Sequence, residues 1–162
     1  MKPALILAAL VALTATAPAL AQNPGEIARV RGGASCGGCN LFQADLSGID
    51  RAGLNLSGSR LRQADLSLAT MNRARFSNAD LRDVEAYGGV FSSSNFSRAD
   101  LTNASFVGTY LEGANFAGAT LNGTNFSGAS LARATGLTQG QLNGACGDQA
   151  TVLPGNLRIR AC

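Results

Sequence analysis

Residues 99–128 read ADLTN ASFVG TYLEG ANFAG ATLNG TNFSG, six blocks of five with a large apolar residue at the centre of each. The same phase extends outward from Cys39 to Arg133, 95 residues in 19 blocks with no insertion or deletion. The third position is Leu, Phe or Met in 17 of the 19, the exceptions being Arg51 and Ala86, and the first position is Ala in 10. Asp or Asn is frequent at the second position, and the last two are polar or Gly. A period of five fits neither the helical repeat of about 3.6 nor the strand repeat of about 2. Two apolar positions flanking one polar residue suit a short extended edge, with Gly, Ser, Asn and Asp supplying a turn after it. A single block buries too little to be stable alone, so the blocks must stack into a solenoid.

The A-(D/N)-L-x-x pattern is literal in Ala44-Asp45-Leu46, Ala64-Asp65-Leu66, Ala79-Asp80-Leu81 and Ala99-Asp100-Leu101. It resembles the pentapeptide-repeat family over the whole 95-residue run. The resemblance implies an all-β fold, a right-handed quadrilateral β-helix with four blocks to a coil and the central and first residues of each block inward. Nineteen blocks then make 4.75 coils. Stacked about 4.8 Å apart, they form a rod about 23 Å long. At a spacing of 20, one inward column reads Leu41, Leu61, Leu81, Leu101, Leu121 and another Leu56, Phe76, Phe96, Phe116. Leu and Phe also alternate at a spacing of ten from Phe96 onward, so the columns support the four-block coil without requiring it.

Two blocks depart from the pattern. Arg51 stands where a Leu is expected, and an inward charge is costly unless paired. Its guanidinium is therefore expected to leave the open end of the first coil for solvent or N-terminal carbonyls. Ala86 leaves its column short of volume between Leu66 and Phe106. Tyr87 or Phe106 is expected to fill the gap. Gly88-Gly89 suggests distorted backbone there, an irregular patch to be read as a tolerated packing defect first and as a candidate contact site second.

Outside the repeat, residues 1–21 carry Lys2, an apolar run from Ala4 to Leu13 and Ala19-Leu20-Ala21, the pattern of a secretory signal peptide cut before Gln22. The expected organisation is a signal peptide over 1–21, an N-terminal segment and cap over 22–38, the β-helix over 39–133 and a C-terminal cap over 134–162. Asn23-Pro24-Gly25-Glu26 suits the start of a short helix. Thr138 with Gln141 makes a capping box, and Leu137 with Leu142 the matching hydrophobic staple, so a short helix is expected after Thr138 over the last coil. The tail from Thr151 to Cys162 should wrap, turning at Pro154-Gly155. On the implied rod, Cys36 and Cys39 lie at one end and Cys146 and Cys162 beyond the other, roughly 20 Å away. Disulfides need Cα atoms within about 7 Å, which leaves the pairing 36–39 and 146–162. Free buried thiols, and redox or metal chemistry at Cys36-x-x-Cys39, stay open as alternatives.

Chemistry is sparse. There is no His, and once the leader is removed 12 Arg face 10 acids, a net charge of +2 that does not mark a nucleic-acid binder. The missing His removes the commonest general base and the Ser-His and Cys-His nucleophile pairs. Stacking at a spacing of 20 brings Asp45, Asp65 and Glu85 into a column, a weak candidate for a hard cation such as Ca²⁺. It also sets Arg60 beside Asp80 and Asp100. Asp and Asn recur at this position because they hydrogen-bond turns, and no cofactor is called for. The reading is an exported, non-enzymatic scaffold, periplasmic or secreted. It is expected to bind a protein or an envelope component, with no nucleic-acid partner and no membrane-spanning segment after leader removal. The family supplies an alternative, since some of its members mimic duplex DNA and inhibit DNA gyrase. Cation binding is the third reading.

Overall fold

In a computed structural model that describes residues 22–162, the repeat forms a right-handed quadrilateral β-helix. The expected signal peptide, residues 1–21, lies outside the described residues. Parallel bridges join residues 20 apart, from Asn40↔Arg60 through Asn115↔Thr135, so four blocks complete each coil. Each central amide donates to the coil above, as in Leu41 N to Arg60 O at 2.8 Å, and each corner closes with an i to i+3 bond such as Ala44 N to Leu41 O at 3.0 Å. The fifth residue of each block from Gln43 to Gly128 takes a positive φ, the type II turn arrangement. Gly supplies it at many corners. Nine non-glycine residues among those described also adopt it, from Gln43 at +52° to Arg73 at +60°.

Inward residues form four columns, one per side. The first holds Leu41, Leu61, Leu81, Leu101 and Leu121, the second Leu46, Leu66, Ala86, Phe106 and Phe126, and all are buried. The third runs Met71, Phe91, Leu111, Leu131 above Arg51, and the fourth Leu56, Phe76, Phe96, Phe116. Phe96 stacks nearly parallel on Phe76 and Phe116, with centroids at 5.0 and 5.2 Å. It meets Phe91 and Phe106 edge-on at 6.1 and 5.8 Å. Where the small inward position is polar, its hydroxyl is satisfied. Ser59, Ser94, Thr109 and Thr124 donate to the carbonyls of Cys36, Met71, Ala86 and Leu101 at 2.8–2.9 Å.

The ladder begins one block before Cys39. Ala34-Ser35-Cys36-Gly37-Gly38 is already in phase, with Cys36 N bonded to Asn55 O and Gly38 N to Ser57 O, both at 2.9 Å. Cys36 is the first member of the fourth inward column and only 2% exposed. At the other end the ladder continues to Thr135, two residues past Arg133. Gly136 breaks the phase, because a Cβ there would lie 2.5 Å from Ala117 N. Beyond it the bridges slip from a spacing of 20 to Asn125↔Cys146 and Ser130↔Val152.

Both ends are covered. Helix α1 (Pro24–Arg31) is N-capped by Asn23, has Pro at its start, and buries Val30 over the first coil. Its Glu26 accepts from Asn40 N at 2.6 Å, tying the helix to the solenoid. Helix α2 (Gln139–Leu142) carries the Thr138–Gln141 capping box and buries Leu142. Gln141 Nε2 also donates to Phe116 O and Ala119 O, both at 2.9 Å, tying the helix to the carbonyls of the last coil. Strands β1 (Cys146–Gly147) and β2 (Arg160–Ala161) pair in parallel and add a final layer above Asn125. Cys36–Cys39 and Cys146–Cys162 are disulfides with Cα separations of 5.5 and 4.7 Å. Among the described residues there is no free cysteine and no helix long and apolar enough to cross a membrane.

Phe96→Ala is expected to cost about 3–5 kcal/mol, because its cavity would be lined by four other rings that the stacked backbone cannot move inward; urea unfolding measures it. Replacing Cys146 and Cys162 by Ser opens a loop of sequence separation 16. That change should cost about 3 kcal/mol, seen as a lower melting temperature than wild type without reductant.

Candidate functional site

The second residue of each block points outward, and in many blocks its carboxylate or amide is used by its own turn. Asp45 Oδ1 accepts from Ser47 N and Ser47 Oγ at 3.0 and 2.6 Å, and Asp65 Oδ1 from Ser67 N at 2.8 Å. Bridges place Asp45 beside Asp65 and Asp65 beside Glu85, so the column exists, but all three side chains are exposed. No cluster of three or more carboxylate, thiol or imidazole groups among the described residues is placed to hold a metal ion. The cation reading of Asp45, Asp65 and Glu85 is corrected on that ground. They stack along the rod without converging on a common point. Ser47 and Arg31 hold the Asp45 carboxyl below the usual range, Ser47 contributing most.

On the first side, a shallow cleft is lined by Phe42, Arg60, Arg62, Gln63, Asp80 and Arg82. Its arginines are answered locally. Arg82 grips Asp80 with Nε and Nη2 at 2.7 Å each and reaches Asp100 at 3.6 Å, while Arg62 pairs with Asp83 at 3.1 Å. The cleft is thus a ladder of alternating charge rather than a basic surface. Arg82 holds the Asp80 carboxyl below its ordinary value of 3.8, against a smaller opposing effect of burial.

Arg51 is exposed and donates Nη1 to Asp50 O at 2.7 Å, with its stem against Gly33 of the N-terminal cap. Its backbone keeps the ladder through Arg51 N to Thr70 O at 2.8 Å, so the side chain swings out of the end while the strand stays in place. Around Ala86 two expectations are corrected. Tyr87 is 57% exposed and fills no core space. Phe106, next in the Ala86 column, is fully buried, and the ring of Phe91 leans over Gly89, so close that a Cβ there would lie 2.6 Å from Phe91 Cε2. The backbone is regular as well, with Gly88 N to Val107 O at 2.9 Å and Tyr110 N to Gly89 O at 2.9 Å.

The departure at this place is outward. The corner between the second and third sides reads Gly48, Leu68, Gly88, Gly108, Gly128, every residue at positive φ. Leu68, at +57°, is the one large apolar residue among the described non-glycine residues in this conformation, and it is 64% exposed. A bulky side chain is unfavourable in the left-handed region. Its Cδ2 lies over Gly88, 3.0 Å from where a Cβ would stand. Leu68 N bonds Tyr87 O, and Gly88 N bonds Val107 O, which places Tyr87 and Val107 on the rungs above. Across the corner, bridges link Val90 to Tyr110, Tyr110 to Ser130 and Ser130 to Val152. Among the described residues, Leu68, Tyr87, Tyr110 and Val152 are the exposed large hydrophobic ones, and they line this corner, with Ser130 between Tyr110 and Val152. Sequence reasoning missed it, although Leu68 is visible as the only apolar residue at the fifth position of any block.

The family profile of pentapeptide repeats matches in eight copies over residues 52–84 and 94–133, passing over the stretch that contains Ala86 and Gly89. Among solved structures, a pentapeptide repeat protein from the thylakoid lumen of Arabidopsis thaliana is 27% identical with a TM-score of 0.36, the match covering 76% of this chain and 86% of that one. Another, from the cyanobacterium Cyanothece 51142, is 27% identical with a TM-score of 0.28, covering 65% of this chain and 64% of that one. This chain therefore spans just under two thirds of the Cyanothece protein. A trypsin-treated QnrB1, a plasmid-mediated fluoroquinolone resistance protein, is 20% identical with a TM-score of 0.42, covering 74% of each chain. The comparison with curated proteins returned no match.

A carboxyl more acidic in the folded than in the unfolded chain stabilises at neutral pH, and that contribution disappears as pH falls past the ordinary value and through the folded one. Asp80→Asn keeps an acceptor for Arg82 N but removes the charge. It should destabilise by roughly 0.5–1 kcal/mol near pH 7, since the pair is partly solvated. The difference from wild type should shrink as pH falls past 3.8 and through the lower folded-state value, as followed by urea midpoints against pH.

Proposed function

The chain belongs to the pentapeptide-repeat family, and from that membership we propose that it is an exported, non-enzymatic scaffold whose outer surface binds another protein or an envelope component. One observation carries the reading. The chemistry of the described residues is spent on the fold itself: no buried side-chain nitrogen or oxygen lacks a hydrogen-bond partner. Several outward carboxylates, those of Asp45, Asp80 and Asp100 among them, are taken up by turns and ion pairs, and among the described residues the surface feature the repeat does not need is the apolar corner at Leu68. Export is supported by the leader pattern of residues 1–21 and by two disulfides, which suit an oxidising compartment. The DNA-mimic reading has no observation in its favour, since arginines interleave with the acids along the first side.

Expression of the full chain, followed by fractionation and N-terminal sequencing, should recover a product beginning at Gln22 outside the cytoplasm. An intact Met1 in the cytoplasm would remove the export half of the reading. Photo-crosslinkers placed one at a time on the four outer sides should give a discrete adduct from at least one position. Adducts from none would remove the binding half.

A further inference from the structure

The geometry points to the corner formed by Leu68, Tyr87, Val90, Val107, Tyr110 and Val152 as the docking strip, and to an extended, apolar segment of another protein flanked by basic residues as its occupant. This rests on the scaffold reading and names the surface and the chemistry of the partner. Nothing in the fold calls for Leu68. The corner needs a positive φ, which the other four residues of its column meet with Gly. A leucine there adds backbone strain and exposes its side chain to water, so it works against the fold twice. Gly88 beneath it leaves room for the side chain to lie along the ridge toward Tyr87. A residue kept against both costs is explained by what it touches outside the chain.

Charge and size choose the occupant. On the second side, Asp65 and Glu85 stand directly beside the strip, exposed and with no ion pair to another described residue. Two unpaired carboxylates favour a cationic partner and oppose an anionic lipid surface. The strip follows rungs about 4.8 Å apart, so it is long and narrow and offers roughly 300 Å². A stable interface between two copies needs about 800 Å² from each partner. An extended segment laid along the ridge matches that shape, its apolar side chains against Leu68 and the tyrosines and its basic ones over Asp65 and Glu85.

The probe is a fluorescein-labelled decapeptide of alternating Leu and Lys, compared by anisotropy with its Leu-Glu counterpart at physiological ionic strength, using protein matured from the full chain. The Leu-Lys peptide should bind at least about tenfold more tightly than the Leu-Glu peptide. Leu68→Gly should weaken it about tenfold, and Tyr110→Ser should weaken it similarly. Arg98→Ser, on the fourth side, should leave it unchanged. Because Leu68→Gly relieves the turn, its melting temperature should stay level or rise by about 2–4 °C, so lost binding could not be laid to unfolding. Equal binding of the two peptides, binding of neither, or full binding by Leu68→Gly would overturn the proposal. So would Leu68-dependent association with phosphatidylglycerol vesicles, which would make the strip a membrane surface. Leu68-dependent dimers in sedimentation velocity would make it a self-interface and overturn the proposal equally. Photo-crosslinked adducts that persist in Leu68→Gly would leave the scaffold reading standing while this corner falls.

Discussion

The corner turn governs this molecule. To return above itself every 20 residues, the chain must change direction after each central residue, and every turn up to Gly128 places its fifth residue in the left-handed region. That single demand sets the composition of the repeat. Gly, Asn, Asp and short or flexible polar residues collect where φ is positive, because they adopt it at least cost. The preceding Asp or Asn accepts from the amide two residues on, as Asn55 does from Ser57 N and Asn95 from Ser97 N. Carboxylates that stack in a suggestive column are therefore parts of corners, and their regular spacing is the spacing of the turns.

The core follows from the same constraint. With coils in register, each inward side chain meets the inward residue of the next coil directly above and below, which is why rings stack face to face in the fourth column and edge-on between columns. A register this rigid leaves little room to absorb a misfit by shifting backbone. The short Ala86 is accommodated by its neighbours' side chains, with Phe91 leaning over Gly89 while every ladder bond around it is kept. At the ends, where the ladder has no next rung, side chains replace it. Glu26 bonds Asn40 N at one end, and Gln141 bonds two carbonyls at the other.

Much of this was legible in the residues, because period and composition are local properties that stacking only repeats. The block phase, the inward columns and the Thr138–Gln141 box can each be read from a few consecutive residues. The start of the ladder was harder. Ala34-Ser35-Cys36-Gly37-Gly38 has the size pattern of a block, but its central Cys looks like chemistry and hides its place in the core. The outward corner was harder still. Leu68, Tyr87 and Tyr110 lie in different blocks and on different sides of the repeat pattern, and a reading by columns of like position never sets them side by side.

The amino-acid order alone therefore dictated that the chain coils in fives, which residues face inward and where helices cap it, since each depends on neighbours in the chain. Three-dimensional packing settled the rest. It turned Arg51 out of the end, laid the Phe91 ring over Gly89, spent Asp45 on a turn, and gathered exposed apolar residues onto one ridge. Those outcomes depend on which side chains meet across a corner or between coils. That is a property of the closed solenoid, absent from any single block.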